Sequence, residues 1–166
     1  YKGHPDVWIV FKKQMQLAEE LERDNKAGIF HDDQYVFSAM NGMGHFEKIA
    51  NYFPKANIIC GTAMIATRMD GPADVDFMGA EGDEVMHMAR YNNEKPDEKT
   101  QAIFDDFTKA KLGPVFADEW MGMCMSKVVF NAVTNTLCTM FEMQMGQFIE
   151  YPGVRKMSRH LFAEAY

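Results

Sequence analysis

The sequence predicts an α/β unit built on a parallel sheet, followed by the start of an all-α unit. Three observations carry that expectation. Short continuous apolar runs, rich in β-branched and aromatic residues, occur at 6–11, 34–40 and 57–66 and alternate with helical patterns. Unbroken runs of this kind are the signature of strands covered on both faces. From residue 118 the strand signals stop and one long helical pattern continues to about residue 141, which sets the expected boundary between units at 1–117 and 118–166.

The elements follow in order. The run 6–11 reads as a first strand, and 12–25 as a helix whose apolar side is Met15, Leu17, Ala18 and Leu21 among charges. The run 34–40 is a second strand that passes directly into the turn sequence Asn41-Gly42-Met43-Gly44, with a short helix over 45–53. The third strand is 57–66. Gly71-Pro72 punctuates the chain, and 73–78 with 84–90 form an expected exposed antiparallel pair. Pro96, Asp97 and Glu98 open a helix, with proline in its first turn and acids at the positive end of the dipole. That helix runs to about 111, with Gly113 as its left-handed stop. A short strand at 114–117 precedes the long helix, and another helix begins near Phe148.

Composition narrows the function. Of 166 residues, 47% are hydrophobic and 13% aromatic, which supports a packed core. A net charge of −7 and a pI near 5.2 argue against a general nucleic-acid binder. No apolar run approaches the ~20 residues of a membrane span. Cys60, Cys124 and Cys138 are odd in number and lack metal-ligand spacing, which suits buried thiols in a reducing cytoplasm. The histidines His4, His31, His45, His87 and His160 are scattered without paired spacing, so no metal is expected. No GxSxG element is present. The fifteen methionines read as adaptable core filler.

Three places could carry chemistry. Lys127, Asn131 and Asn135 recur at i, i+4 and i+8 in otherwise apolar sequence. Each step of four drifts only ~40° around a helix, so they form one polar stripe on a helix whose other faces call for burial. An unpaired buried polar group costs about 1–3 kcal/mol, so such a stripe is either paired internally or meets a polar ligand. Lys13 follows the first strand and Asn41 follows the second. Ligands of open α/β sheets gather outside the carboxyl ends of strands. Taken singly, a solvated lysine pair opening a helix is the favoured account of the first, and an ordinary strand-to-helix turn accounts for the second.

In this order, the pieces resemble ketopantoate reductase (2-dehydropantoate 2-reductase). The residues that carry the resemblance are the strand ending at Lys13, the turn at Asn41–Gly44, Gly61-Thr62 with Asp70-Gly71, and above all Ser126-Lys127 with Asn131 and Asn135. The resemblance implies a Rossmann-type NADP-binding domain joined to a helical domain, with the active site between them. It implies that Lys127 is the general acid and that Asn131 and Asn135 hold the substrate. Lys13, Asn41 and Thr67 would contact NADP(H), and Asn41 the substrate as well. A small keto acid is the implied partner. Apart from the resemblance, a truncated helical domain would leave apolar helix faces exposed, which would allow pairing into a homodimer. The family's opening GxGxxG unit has no counterpart before Asp6, and Met145 stands where a polar residue is sometimes found. The expectation is therefore a central stretch of a longer protein, without catalytic competence by itself. Two other readings fit the same residues: an oxidoreductase for another 2-keto or 2-hydroxy acid, and a non-catalytic binding or assembly module.

Overall fold

The computed structural model describes residues 7–10, 14–65, 67–77 and 84–165. Three strands run parallel, β1 (Val7–Val10), β2 (Tyr35–Ser38) and β3 (Ile58–Ala63). Two more, β6 (Met86–Arg90) and β7 (Pro114–Phe116), run the opposite way, giving the order β1-β2-β3-β6-β7. The sheet is thus mixed rather than all-parallel. Between β3 and β6 the chain forms a two-stranded ribbon, β4 (Thr67–Gly71) and β5 (Asp74–Phe77), in place of a crossover helix. Without a crossover, the next strand must return antiparallel.

The ribbon corrects the expected pairing of 73–78 with 84–90. The partner of β5 is β4, folded back at Gly71 and Pro72. The 84–90 segment instead supplies a central strand, β6, whose Met86, Met88 and Ala89 are buried. The alternation is weak there because both faces of β6 are covered, which removes the polar half of the pattern.

Alternation does show in what each face meets. Val36, Ile58, Cys60 and Ala89 pack with Leu17 and Leu21 of α1 (Gln14–Lys26), Phe46 and Ile49 of α2 (His45–Ile49), and Trp120 and Cys124 of α4 (Trp120–Met140). Tyr35, Phe37, Ile59, Met86 and Met88 pack with Ile103 and Phe107 of α3 (Glu98–Lys109). A third, smaller core joins Val133 and Leu137 of α4 to Phe148 of α5 (Met145–Glu150) and Val154 of α6 (Pro152–Ala165). The long helix therefore belongs to two cores, its first turns to the sheet and its last turns to the helices. Both Cys60 and Cys124 are buried thiols of the first core.

Local chemistry sets the helix ends. Asp97 caps α3, its carboxylate accepting from the Thr100 N–H at 2.9 Å and the Thr100 hydroxyl at 2.8 Å. The stop of α3 is Lys111 rather than Gly113. Lys111 takes the left-handed conformation at φ 59°, and the Leu112 N–H donates to the Phe107 carbonyl at 3.0 Å. Helix α2 ends at Ile49, earlier than the expected 53, and α5 begins at Met145, earlier than Phe148.

One polar network ties the sheet to α3. The nearly buried guanidinium of Arg90 donates to the Ala56 carbonyl at 2.8 Å and the Lys95 carbonyl at 3.0 Å, and pairs with Asp97 at 3.0 Å. The Tyr35 hydroxyl donates to the same Asp97 at 2.5 Å. Burial and that bond push the Tyr35 phenol up to about 12.

Candidate active site

The site grows from the way α4 crosses the sheet. Glu119 fixes the start of the helix, its carboxylate accepting from the N–H groups of Met121 at 2.7 Å and Gly122 at 2.5 Å. A Cβ on Gly122 would stand 2.9 Å from the Glu119 carboxylate, so glycine lets this cap close. Trp120 and Cys124 then pack against Ala89 and Cys60. About one turn further on, Lys127 reaches the carboxyl end of β3, where its ammonium donates to the Ala63 carbonyl. Lys127 is half-buried, and burial lowers its pKa.

Beside it lies a cavity of about 530 Å³, within the range of small-ligand sites. Its polar lining includes Thr62, His87, Ser126 and Lys127, and Met64, Met123 and Phe130 form an apolar wall. Asp118 and Glu119 stand exposed among the lining residues.

Of the expected site residues, Lys127 lines this cavity. Asn131 and Asn135 continue along α4, the first half-buried and the second exposed. Neither is among the cavity's described lining residues. The stripe spacing holds, since all three lie on one continuous helix. The expected burial of the other faces is corrected. The buried side is Trp120, Cys124, Val129, Val133, Thr134 and Leu137, while Met121, Met125 and Met140 are exposed. Asn41 is exposed three residues past the end of β2, at the same end of the sheet as Ala63. Thr67 is exposed at the first position of β4. Lys13 lies outside the described residues. Met145 is exposed at the start of α5.

Sequence reasoning did not single out His87. It stands directly opposite Thr62 across the β3–β6 ladder, and both line the cavity. The available signal was an imidazole between two methionines in a strand, Met86-His87-Met88. It was masked by reading that strand as exposed.

Comparison with known proteins decides the family. The family described as Ketopantoate reductase PanE/ApbA matches residues 1–91, and Ketopantoate reductase PanE/ApbA C terminal matches residues 119–166. This chain belongs to the ketopantoate reductase family. It is 25% identical to the 2-dehydropantoate 2-reductase of Streptococcus pyogenes serotype M6 over 159 residues, which is 96% of the chain and 50% of that protein. The chain spans about half the length of the curated relatives it matches. Among solved structures, D-mandelate dehydrogenase in ternary complex with NADH and anilino(oxo)acetate aligns with a TM-score of 0.71 at 25% identity. That match covers 92% of the chain and 48% of the other. The 2-dehydropantoate 2-reductase of Geobacter metallireducens aligns with a TM-score of 0.79 at 19% identity over 96% of the chain and 51% of the other. The α/β part is therefore a Rossmann-like domain of the ketopantoate reductase type, followed by helices. Among the described residues, no helix is long and apolar enough to cross a membrane.

Proposed function

We propose that this chain is part of an NADPH-dependent reductase that converts 2-dehydropantoate (ketopantoate) to pantoate in pantothenate biosynthesis. The observation that carries the reading is Lys127, a half-buried ammonium at the carboxyl end of β3, on the wall of a ligand-sized cavity. Reducing a ketone requires a proton donor where negative charge develops on oxygen. A lysine ammonium supplies both the proton and the counter-charge. Partial burial brings its pKa down toward the working range and strengthens its field. Lys127 exchanges its bond to the Ala63 carbonyl for one to the substrate's carbonyl oxygen and passes the proton to it. Asn131 and Asn135, one and two helical turns further along α4, hold the distal polar end of the substrate.

A nicotinamide nucleotide, when bound, supplies the hydride. The described residues fit such a group at the strand ends. Gly42 and Gly44 hold left-handed backbone at φ 95° and 87°, and a Cβ on Gly44 would meet nothing within 4 Å. The backbone there is open to a ligand, with the exposed Asn41 carboxamide beside it. Asn41, Thr67 and Lys13 are the proposed cofactor contacts, with NADP(H) preferred, and Asn41 also reaches the substrate. The proposed domain division is 1–117 and 118–166, in a cytoplasmic protein. Pairing of two copies fits the exposed apolar residues Met140, Phe141, Ile149 and Met157. These 166 residues by themselves are expected to be inactive.

A second reading keeps the chemistry and changes the acid. The apolar wall of Met64, Met123 and Phe130 favours a 2-keto acid with an apolar side chain. The test is a panel of 2-keto acids with NADPH and NADH on the intact protein. The first reading predicts the highest kcat/KM for 2-dehydropantoate with NADPH. A higher value for an apolar 2-keto acid selects the second, and no turnover with any acid overturns both.

A further inference from the structure

We infer that His87 is a substrate-binding residue whose ring N–H holds the carboxylate of the 2-keto acid that Lys127 protonates, an assignment that rests on the reductase reading above. The position of His87 is anomalous for its strand. Along β6, Met86 and Met88 point into the core under α3, and Ala89 packs against Trp120 and Cys124 on the α4 side. His87 alternates with the two methionines, so it shares the α4 side with Ala89. Two residues from Ala89, where the core pattern calls for another apolar side chain, the sheet presents an imidazole to the cavity.

Geometry brings it to the acid. His87 is paired with Thr62, the residue before Ala63, whose carbonyl receives the Lys127 ammonium. Residues directly opposite on an antiparallel ladder carry their Cβ atoms about 4.5–5.5 Å apart on one face. The imidazole and the ammonium thus flank the same strand end and line the same cavity. The ring is half-buried and has no hydrogen bond or ion pair among the described residues. Its donor is available, and a charged acceptor suits it best.

The chemistry of a 2-keto acid asks for such a donor. Carbonyl oxygen and carboxylate sit on adjacent carbons, so when Lys127 holds the first, the second lies within a few ångströms on the same wall. Of the other charged groups at the cavity, Glu119 is engaged at the start of α4, and Asp118 is an exposed carboxylate that would repel an acid. His87 is the side chain placed to offset that repulsion.

The experiment is steady-state kinetics of the intact protein and its His87→Ala and His87→Gln variants, with the best 2-keto acid and with that acid's methyl ester. A hydrogen bond to a charged group corresponds to about 10–100-fold in affinity. The expected result is a KM for the acid raised about 10–100-fold in His87→Ala and partly recovered in His87→Gln. The KM for the neutral ester, whose carbonyl accepts only a weaker neutral hydrogen bond, rises by a clearly smaller factor than that for the acid, cofactor Kd is unchanged, and kcat stays within about threefold. An unchanged KM for the acid in both variants overturns the assignment, as does an equal rise for the ester. Absence of turnover in the wild type overturns the reductase reading itself, and the His87 assignment with it.

Discussion

Gly61 makes the sharpest test of how the sheet holds the site. It lies in β3 two residues before Ala63, whose carbonyl receives Lys127. A Cβ at this position would stand 2.5 Å from the Cε2 and Cζ atoms of Phe37 and 3.3 Å from the Ser38 carbonyl. Carbon atoms rest about 3.5–4.0 Å apart, so in Gly61→Ala the Phe37 ring must retreat by about 1 Å or β3 must move. The ring has little room, since Phe37 is fully buried and stands edge-on to Phe107 with centroids 5.2 Å apart. Overpacking of one methyl group in such a place costs about 1–3 kcal/mol. Denaturant unfolding of the intact protein measures it as a lower midpoint at unchanged slope. Adding Phe37→Leu removes the clash, so the double variant should be less destabilised than the sum of the two single changes. Strict additivity, or a Gly61→Ala midpoint equal to wild type, would refute the idea that the Phe37 ring occupies the space above Gly61.

Three further outcomes follow from the same geometry. His45 is fully buried, neither ring nitrogen has a described partner, and burial lowers its pKa from 6.5 to about 4. The unfolded chain therefore binds this proton at higher pH than the fold does, and stability falls as pH drops from about 6.5 to about 4. The loss is about 2–3 kcal/mol between pH 7.5 and 4.5. Comparing unfolding of wild type and His45→Gln across that range should show a smaller pH dependence in the variant, and equal slopes would count against it. Asp97→Ala removes the α3 cap and leaves Arg90 buried without its closest carboxylate. The expected loss is about 2–4 kcal/mol by denaturation, with Asp97→Asn milder because it keeps a cap acceptor. The lowered pKa of Lys127 in the unliganded protein places the alkaline limb of kcat/KM below the range of a free lysine, near 10.4. A pH–rate profile flat to that value would exclude Lys127 as the acid.

Much of this was legible in the residues. The strands at 7–10, 35–38 and 58–63 declare themselves as unbroken apolar runs, and the long helix as the polar stripe Lys127, Asn131 and Asn135 in an apolar background. The fate of 84–90 was not legible. A strand covered on both faces loses its period-two signal, and nothing local says whether it pairs with β5 or β3. The stop of α3 at Lys111 was hidden because glycine two residues later is the better left-handed residue by propensity, while the Leu112 and Phe107 backbone bond chooses otherwise. For the site, spacing revealed Lys127, but His87 needed the register with Thr62. Sequence carries periodicity along one strand and not the pairing of two.

In the proposed reaction Lys127 delivers the proton in reduction of a 2-keto acid. The direct measurement is kcat and cofactor Kd for Lys127→Ala in the intact protein. A Lys127 that acts as the acid gives kcat lowered about 10²–10⁴-fold, the range for a positioned acid, with cofactor Kd unchanged. A cofactor affinity that falls by the same factor, or a kcat that stays near wild type, would contradict that role.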